Sequence, residues 1–131
     1  MSKLREQALM LVRKADADLS LLDEVLHSAR VTDDIVGFHC QQAAEKLLKA
    51  LLSSRSVAFP RTHSLRHLMD LLADAGQGLP AQLGNLDMLT PYGTVFRYED
   101  PGGEPALDRS AALAMVRSLR EHVVQDVRET R

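Results

Sequence analysis

The sequence predicts an all-α protein, an up-and-down bundle of four to five helices that forms one domain over residues 1–131. Aromatic residues make up only 4% of the chain, whereas leucine and alanine are abundant. Small and straight-chain side chains lose little freedom in a helix, while strands favour β-branched and aromatic ones. Apolar residues also recur three and four positions apart over long stretches, and no stretch of useful length alternates as a strand does.

The first predicted helix covers about residues 3–28, where the apolar positions form a single stripe. The stripe consists of Leu4, Ala8, Leu11, Val12, Ala15, Leu19, Leu22, Val25 and Leu26. A second helix is expected to start after Thr32, because a threonine cap followed by Asp33 and Asp34 suits the exposed amides and the positive end of a helix. It runs to about Ser54, with Ala43, Ala44, Leu47, Leu48, Ala50 and Leu51 facing the core.

Three further helical segments are predicted. The third helix runs from about Ser64 to Ala75 and stops at the glycines that follow. A fourth begins at Pro80, carries Leu83, Leu86 and Leu89, and is interrupted at Thr90-Pro91, where Thr90 caps a short continuation to residue 97. Residues 98–106 are rich in proline, glycine and acid and are interpreted as a loop. The last helix covers about residues 107–128.

The charge and the single cysteine limit the possible functions. The formal net charge is −2, so the chain lacks the overall basic field of a typical nucleic-acid binder, and any anion site must be a local cluster. Cys40 has no partner for an intramolecular disulfide, which fits a reducing compartment. The first residues lack the apolar core of a signal peptide, and no apolar run reaches the ~20 residues that cross a bilayer. We therefore expect a cytoplasmic protein without a membrane partner.

The most informative polar pattern lies on the second helix. His39, Gln42, Lys46 and Lys49 are three or four residues apart and share one face, with Glu45 at its border. Two ammonium groups and an amide on one face can hold a phosphate or the edge of a base. The alternative interpretation is an ordinary solvated helix surface with a Glu–Lys pair.

Other candidate groups are weaker. Arg97-Tyr98 ends a helix beside the Pro-Gly loop, where the arginine can reach a ligand or simply offset the negative end of the helix dipole. His63 and His67 have metal-ligand spacing but no third ligand nearby, so neither a metal nor a cofactor is predicted. Adjacent helical positions diverge by about 100°, so Cys40 and its neighbour His39 are not expected to form a catalytic pair, and Cys40 is interpreted as a small buried thiol.

The segment QQAAEKLLKALL (residues 41–52), followed by FPRTHSL (59–65), LTPYGTVFRY (89–98) and the terminal amphipathic helix, resembles the HEPN domain. This family is a helical bundle that is also appended to, or encoded beside, minimal nucleotidyltransferases. The resemblance implies a homodimer and a possible nucleotidyltransferase partner. The family's polar positions match His39, Gln42, Glu45, Lys46, Lys49, His63, Arg97 and Tyr98, which the resemblance implies converge on one cleft.

One departure from the superfamily bears on activity. Its ribonuclease members have four to six residues between an arginine and the following histidine and act on the RNA 2′-hydroxyl without metal, but the corresponding positions after Arg97 hold Gly102, Gly103 and Glu104. No catalytic residue is therefore predicted. The leading hypothesis is a noncatalytic nucleotide-binding or accessory module that acts with a minimal nucleotidyltransferase. The alternatives are a toxin-like, metal-independent endoribonuclease that uses Arg97 and His63, and a purely structural dimeric adaptor.

Overall fold

The all-α prediction is confirmed by a computed structural model that describes residues 2–94 and 106–129. Within this part of the chain there are five α-helices and no strand. The helices are α1 (Lys3–Val25), α2 (Asp33–Ser54), α3 (Leu65–Asp74), α4 (Thr90–Thr94) and α5 (Arg109–Glu129), and two short 3₁₀ turns lie between α3 and α4.

The central element is α2, which contacts each of the other four α-helices. Apolar and small residues occupy most of its circumference, as expected for a helix enclosed by its neighbours. Its buried apolar residues are Val36, Cys40, Ala43, Ala44, Leu47, Leu48, Ala50, Leu51 and Leu52. Gln41 and Glu45 are buried on the same helix, and they form the centre of the site described below.

Ion pairs between the long helices show how these helices run. Arg117 pairs with Asp23 and Arg120 pairs with Asp16, so position numbers fall along α1 as they rise along α5. These two helices are therefore antiparallel. Along α2 and α5, by contrast, numbers rise together, because the Asp33–Arg109 and Arg55–Asp126 pairs lie at opposite ends. It follows that α1 and α2 are antiparallel and joined by a short connection.

The predicted ends of the first three helices agree closely with the structure. Ser2 caps α1 by accepting a hydrogen bond from the Arg5 amide at 3.1 Å. Ser64 caps α3 in the same way, through the His67 amide at 3.2 Å. Gly76, at φ 76°, follows the end of α3 with the positive φ that a glycine stop supplies.

The expected capping at the start of α2 differs from the structure. Thr32 precedes the helix, but its side chain makes no capping hydrogen bond. The carboxylate of Asp33 reaches across to α5 instead, where it accepts hydrogen bonds from the Leu107 amide at 2.9 Å and from Arg109 Nε at 2.7 Å. Its main role is therefore to join two helices.

The fourth predicted helix is wrong in type. The chain forms 3₁₀ turns at Ala81–Leu83 and Leu86–Leu89, and only Thr90–Thr94 is α-helical. The three buried leucines of this segment, at positions 83, 86 and 89, are three residues apart, which is one 3₁₀ turn, so they all face the core. The short helical continuation predicted from Thr90 agrees with α4 as far as Thr94, and its last residues, 95–97, lie outside the described residues. The last helix begins two residues later than predicted, at Arg109, so that Leu107 precedes it.

The single cysteine lies in the core, as the sequence predicts. Cys40 is fully buried, and burial, aided by the nearby charge of Asp18, raises the pKa of its thiol to about 12. The prediction of a buried thiol is thus confirmed.

Among residues 2–94 and 106–129, no helix has both the length and the apolar character needed to cross a membrane.

Candidate functional site

A buried carboxylate organises the polar side chains on one side of α2. Glu45 Oε1 accepts a hydrogen bond from Gln41 Nε2 at 3.1 Å and lies 2.8 Å from His63 Nδ1. Its other oxygen, Oε2, accepts a hydrogen bond from Lys49 Nζ at 3.0 Å. We call Gln41, Gln42, Glu45, Lys49 and His63 the Glu45 cluster.

The Glu45 carboxylate is ionised although little of it reaches solvent, with 8% of the side chain exposed. Burial by itself raises the pKa of a carboxyl group, because it disfavours the charged form. Here the hydrogen bonds from His63, Gln41 and Lys49 outweigh burial and hold the pKa of Glu45 below its ordinary value. The three donors therefore surround an anion.

Gln41 connects this carboxylate to the rest of the cluster. Its side chain is buried, and its Nε2 also donates to the backbone carbonyl of His63 at 3.1 Å. Its Oε1 accepts a hydrogen bond from Gln42 Nε2 at 2.7 Å. Gln41 thus links two turns of α2 to the segment that leads into α3.

Helix α4 packs directly on this part of α2, at two glycine positions. A Cβ on Gly93 would lie 2.2 Å from Cδ of Gln41, and a Cβ on Gly37 would lie 2.2 Å from the Tyr92 ring. Thr90 Oγ1 accepts a hydrogen bond from the Leu65 amide at 3.2 Å, which ties the start of α3 to α4. The close approach of α4 therefore fixes both Gln41 and the segment that carries His63.

A second carboxylate, on α1, binds the other predicted residues of the face. Asp18 Oδ1 lies 2.9 Å from His39 Nδ1, and Asp18 Oδ2 accepts a hydrogen bond from Lys46 Nζ at 2.6 Å. Asp18 is mostly buried, with 11% of its side chain exposed. The polar face of α2 is therefore divided between two carboxylates, each of which binds one lysine and one histidine.

This arrangement changes the electrostatics that the sequence predicts. Each ammonium group is paired with a carboxylate, so each cluster carries no net charge while its imidazole is neutral. Lys49 and Lys46 keep partial access to solvent, at 16% and 25% of their side chains, and a lysine ammonium has three donors. The face is a set of fixed hydrogen-bond donors and acceptors with little excess positive charge.

The structure divides the predicted site residues that it describes between two clusters. Gln42, Glu45, Lys49 and His63 belong to one connected cluster, whereas His39 and Lys46 belong to the cluster around Asp18. Arg97 and Tyr98 lie outside the described residues. Within the described ranges, no group of three or more histidine, cysteine, aspartate or glutamate side chains is arranged to hold a metal ion.

Two central residues were not predicted as site residues. Gln41 lies within the segment QQAAEKLLKALL that carries the family resemblance, three and seven positions before the buried residues Ala44 and Leu48. Asp18 lies three residues after Ala15 and four before Leu22, within the apolar stripe of α1. A carboxylate in an apolar register is a sequence feature that indicates a buried partner of opposite charge.

Comparison with known proteins identifies one similarity. The family model described as "HEPN domain" matches residues 8–128, which is nearly the whole chain and includes both clusters. The chain has no significant match among curated proteins or among solved structures.

Proposed function

The chain belongs to the HEPN domain family, and on this premise we propose that it is a nucleotide-binding or accessory module whose ligand site is the polar face of α2. HEPN domains belong to a superfamily of nucleotide-binding and ribonuclease-like proteins. Within that superfamily, we assign this chain a noncatalytic role, with its ligand bound on the polar face of α2.

The observation that carries the proposal is the Glu45 cluster itself. Four of its residues come from two turns of α2, while His63 comes from the segment before α3. They meet around one buried anion, whereas polar residues on an ordinary solvated face would each contact water separately. A buried polar network with every member hydrogen-bonded holds its side chains in one arrangement. Such an arrangement suits recognition of a ligand.

The proposed roles follow from the chemistry of each group. Lys49 and Lys46 have donors beyond those used by the carboxylates and would contact a phosphate, with Arg97 as a third cation. Gln42 and His39 would hydrogen-bond to the ligand, and Tyr98 would stack on a base or close the cleft. Glu45 would hold Lys49 and His63 in position.

A titration tests this proposal. Because a charge-assisted hydrogen bond contributes about 1.5–3 kcal/mol, we expect the double variant Lys49→Ala/Arg97→Ala to bind at least about tenfold more weakly than the wild type. Calorimetry with ATP, GTP and a short RNA would measure the affinities.

The matched control is Lys3→Ala/Arg30→Ala, which removes the same two residue types at exposed positions in α1 and in the α1–α2 connection. Equal binding by the two double variants would contradict the site. No heat with any ligand from a folded wild-type protein would overturn nucleotide binding and favour the structural dimeric adaptor.

We also propose that the chain forms a homodimer and acts beside a minimal nucleotidyltransferase. HEPN domains often dimerise, and the resemblance described above supports the partner. The mass of a single chain in sedimentation equilibrium would contradict the dimer. Failure to bind a minimal nucleotidyltransferase encoded beside the gene would contradict the accessory role.

One contact favours a second candidate function, a metal-independent endoribonuclease. His63 Nδ1 faces the ionised Glu45 carboxylate at 2.8 Å, and 60% of the His63 side chain is exposed. A histidine oriented by a carboxylate can act as a general base through its other nitrogen. In this reaction Nε2 takes the proton of an RNA 2′-hydroxyl, the oxygen attacks the adjacent phosphorus, and the 5′-oxygen leaves with a proton from water. The products are a 2′,3′-cyclic phosphate and a 5′-hydroxyl.

If this second function is correct, His63→Ala should lower cleavage of a labelled RNA by at least about a hundredfold, the usual contribution of a general base. The assay contains a chelator, and His67→Ala is the control because His67 is an exposed histidine that lies within α3. Intact RNA after incubation with the wild-type protein, together with normal growth on induced expression, would exclude the ribonuclease.

A further inference from the structure

The amide of Gln41 has only one orientation that satisfies its surroundings. Its Nε2 faces two acceptors, Glu45 Oε1 and the carbonyl of His63, both at 3.1 Å. Its Oε1 faces a donor, Gln42 Nε2, at 2.7 Å. The reversed amide would place an oxygen against two acceptors, which is costly for a buried group. The hydrogen-bond pattern therefore places Nε2 of Gln41 beside Glu45 and the His63 carbonyl, and Oε1 beside Gln42.

The packing of α4 prevents Gln41 from moving away. The backbone of Gly93 lies so close to the Gln41 side chain that a single added methyl group would lie 2.2 Å from its Oε1 as well as from its Cδ. Gln41 is also fully buried. Its position is thus set by sterics on one side and by hydrogen bonds on the other.

Two groups of His63, its backbone carbonyl and its ring nitrogen Nδ1, are held by contacts that involve Gln41 directly or through Glu45. Its backbone carbonyl accepts a hydrogen bond from Gln41 Nε2, and its ring nitrogen Nδ1 contacts Glu45 Oε1, the same oxygen to which Gln41 donates. A change at Gln41 would shift the carbonyl, the carboxylate or both. The orientation of the His63 imidazole therefore depends on Gln41, although Gln41 acts on the ring only through Glu45 and the His63 backbone.

The contact with Glu45 also determines which imidazole nitrogen carries the proton. Because the hydrogen bonds around Glu45 keep it ionised, its Oε1 acts as an acceptor and His63 Nδ1 must be the donor. In the neutral ring the other nitrogen, Nε2, then holds a lone pair. With 60% of the side chain exposed, the ring presents an acceptor to a ligand.

We propose that Gln41 is a positioning residue that, through Glu45, holds His63 in the Nδ1–H tautomer, so that Nε2 accepts a hydrogen bond from a sugar hydroxyl of the bound nucleotide. The second half of this inference rests on the proposed function, because it names the part of the ligand that His63 recognises. The first half concerns the protein alone.

Nitrogen-15 NMR of the histidine rings tests the first half without any ligand. In the wild type at a pH where His63 is neutral, we expect Nδ1 to carry the proton and Nε2 to give the signal of an unprotonated nitrogen. In Gln41→Met, which keeps the length of the side chain and removes its donor, we expect a mixture of the two tautomers. The control Gln42→Met loses one hydrogen bond to Gln41 but none to Glu45 or His63, and it should keep the wild-type tautomer.

If Gln41→Met does not fold, Gln41→Asn keeps the amide but withdraws it from both acceptors, and the same mixture is expected. A wild-type His63 with its proton on Nε2 would overturn the proposal. An unchanged tautomer in a folded Gln41 variant would do so as well.

The ligand half is tested with ATP and 2′,3′-dideoxy-ATP. One hydrogen bond corresponds to about three- to tenfold in affinity, so the wild type should prefer ATP by that factor. His63→Phe, which keeps a ring without a nitrogen, should bind both nucleotides equally. Equal binding by the wild type would overturn the hydroxyl contact. Absence of binding to both of these nucleotides, together with no heat from GTP or RNA, would overturn the proposed function and with it the hydroxyl contact, while the NMR result would still decide the role of Gln41.

Discussion

Glu45→Ala is expected to destabilise the fold by about 2–4 kcal/mol. Removing one partner of a buried ion pair typically costs about 3–5 kcal/mol, and the partial access of Lys49 to water reduces this figure. The substitution also leaves Gln41 Nε2 with only the carbonyl of His63 as an acceptor and removes the contact that holds the His63 ring. Urea unfolding at pH 7 would measure the free energy of unfolding.

The control for this prediction is Glu24→Ala, which removes an exposed carboxylate from α1 and should change the free energy of unfolding by less than about 0.5 kcal/mol. Glu45→Gln keeps the shape of the side chain and should lie between Glu45→Ala and the wild type. If Glu45→Ala matched Glu24→Ala, the cluster would not be a stabilising network.

The pH dependence of the Glu45 effect has a definite sign. The pKa of Glu45 is lower in the folded chain than in the unfolded chain, where it is about 4.3. Folding is therefore stabilised by the ionised carboxylate above that pH, and the contribution is lost as the pH falls through the folded pKa. The difference in stability between the wild type and Glu45→Gln should accordingly shrink in acid below about pH 4.3.

The second large effect is expected at Arg109, the first residue of α5. Its guanidinium donates to Asp33 at 2.7 Å and to three backbone carbonyls, those of Leu26 at 3.3 Å, Ser28 at 3.1 Å and Val31 at 2.6 Å. Three of these groups belong to the connection that follows α1, where carbonyls lack partners within a helix. One side chain thus fixes the α1–α2 connection against the start of α5.

Arg109→Ala should lower the free energy of unfolding by about 2–4 kcal/mol, because it removes one charge-assisted pair and leaves partly buried carbonyls without a donor. Arg109→Lys keeps the charge but cannot reach four acceptors with a single ammonium group, so about half of the loss should remain. The hydrogen bond from Arg109 is also the largest cause that lowers the pKa of Asp33.

Arg117→Ala is the matched control for Arg109. It removes an arginine of the same helix whose pair with Asp23 is largely exposed, and exposed pairs contribute only about 0.2–1 kcal/mol. Thermal or urea unfolding of the three variants would rank them. Equal losses in Arg109→Ala and Arg117→Ala would show that the carbonyl contacts of Arg109 do not stabilise the fold.

The sequence by itself determined the long helices and their buried faces, because both depend on local periodicity. The apolar stripe of α1 was predicted from spacing alone, and its central members Ala8, Val12, Ala15, Leu19 and Leu22 are buried, whereas Leu4 at its start is exposed. The start of α3 was predicted near Ser64, and in the structure the Ser64 hydroxyl caps the helix there, an interaction confined to the first turn. The leucines of residues 83–89 were predicted to lie on one α-helix, but their spacing of three fits a 3₁₀ turn as well, and the structure has 3₁₀ turns there.

Only the tertiary structure decided which polar groups meet. The spacing on α2 predicted that its lysines share one face, but no local pattern could show that a carboxylate of α1 pairs with Lys46 while Glu45 pairs with Lys49. Contacts such as those between Gly93 and Gln41, or between His63 and Glu45, join positions that are 18 or more residues apart. Helical periodicity relates residues within a few turns, whereas a buried charge is satisfied by whichever donors the packing of distant elements brings to it.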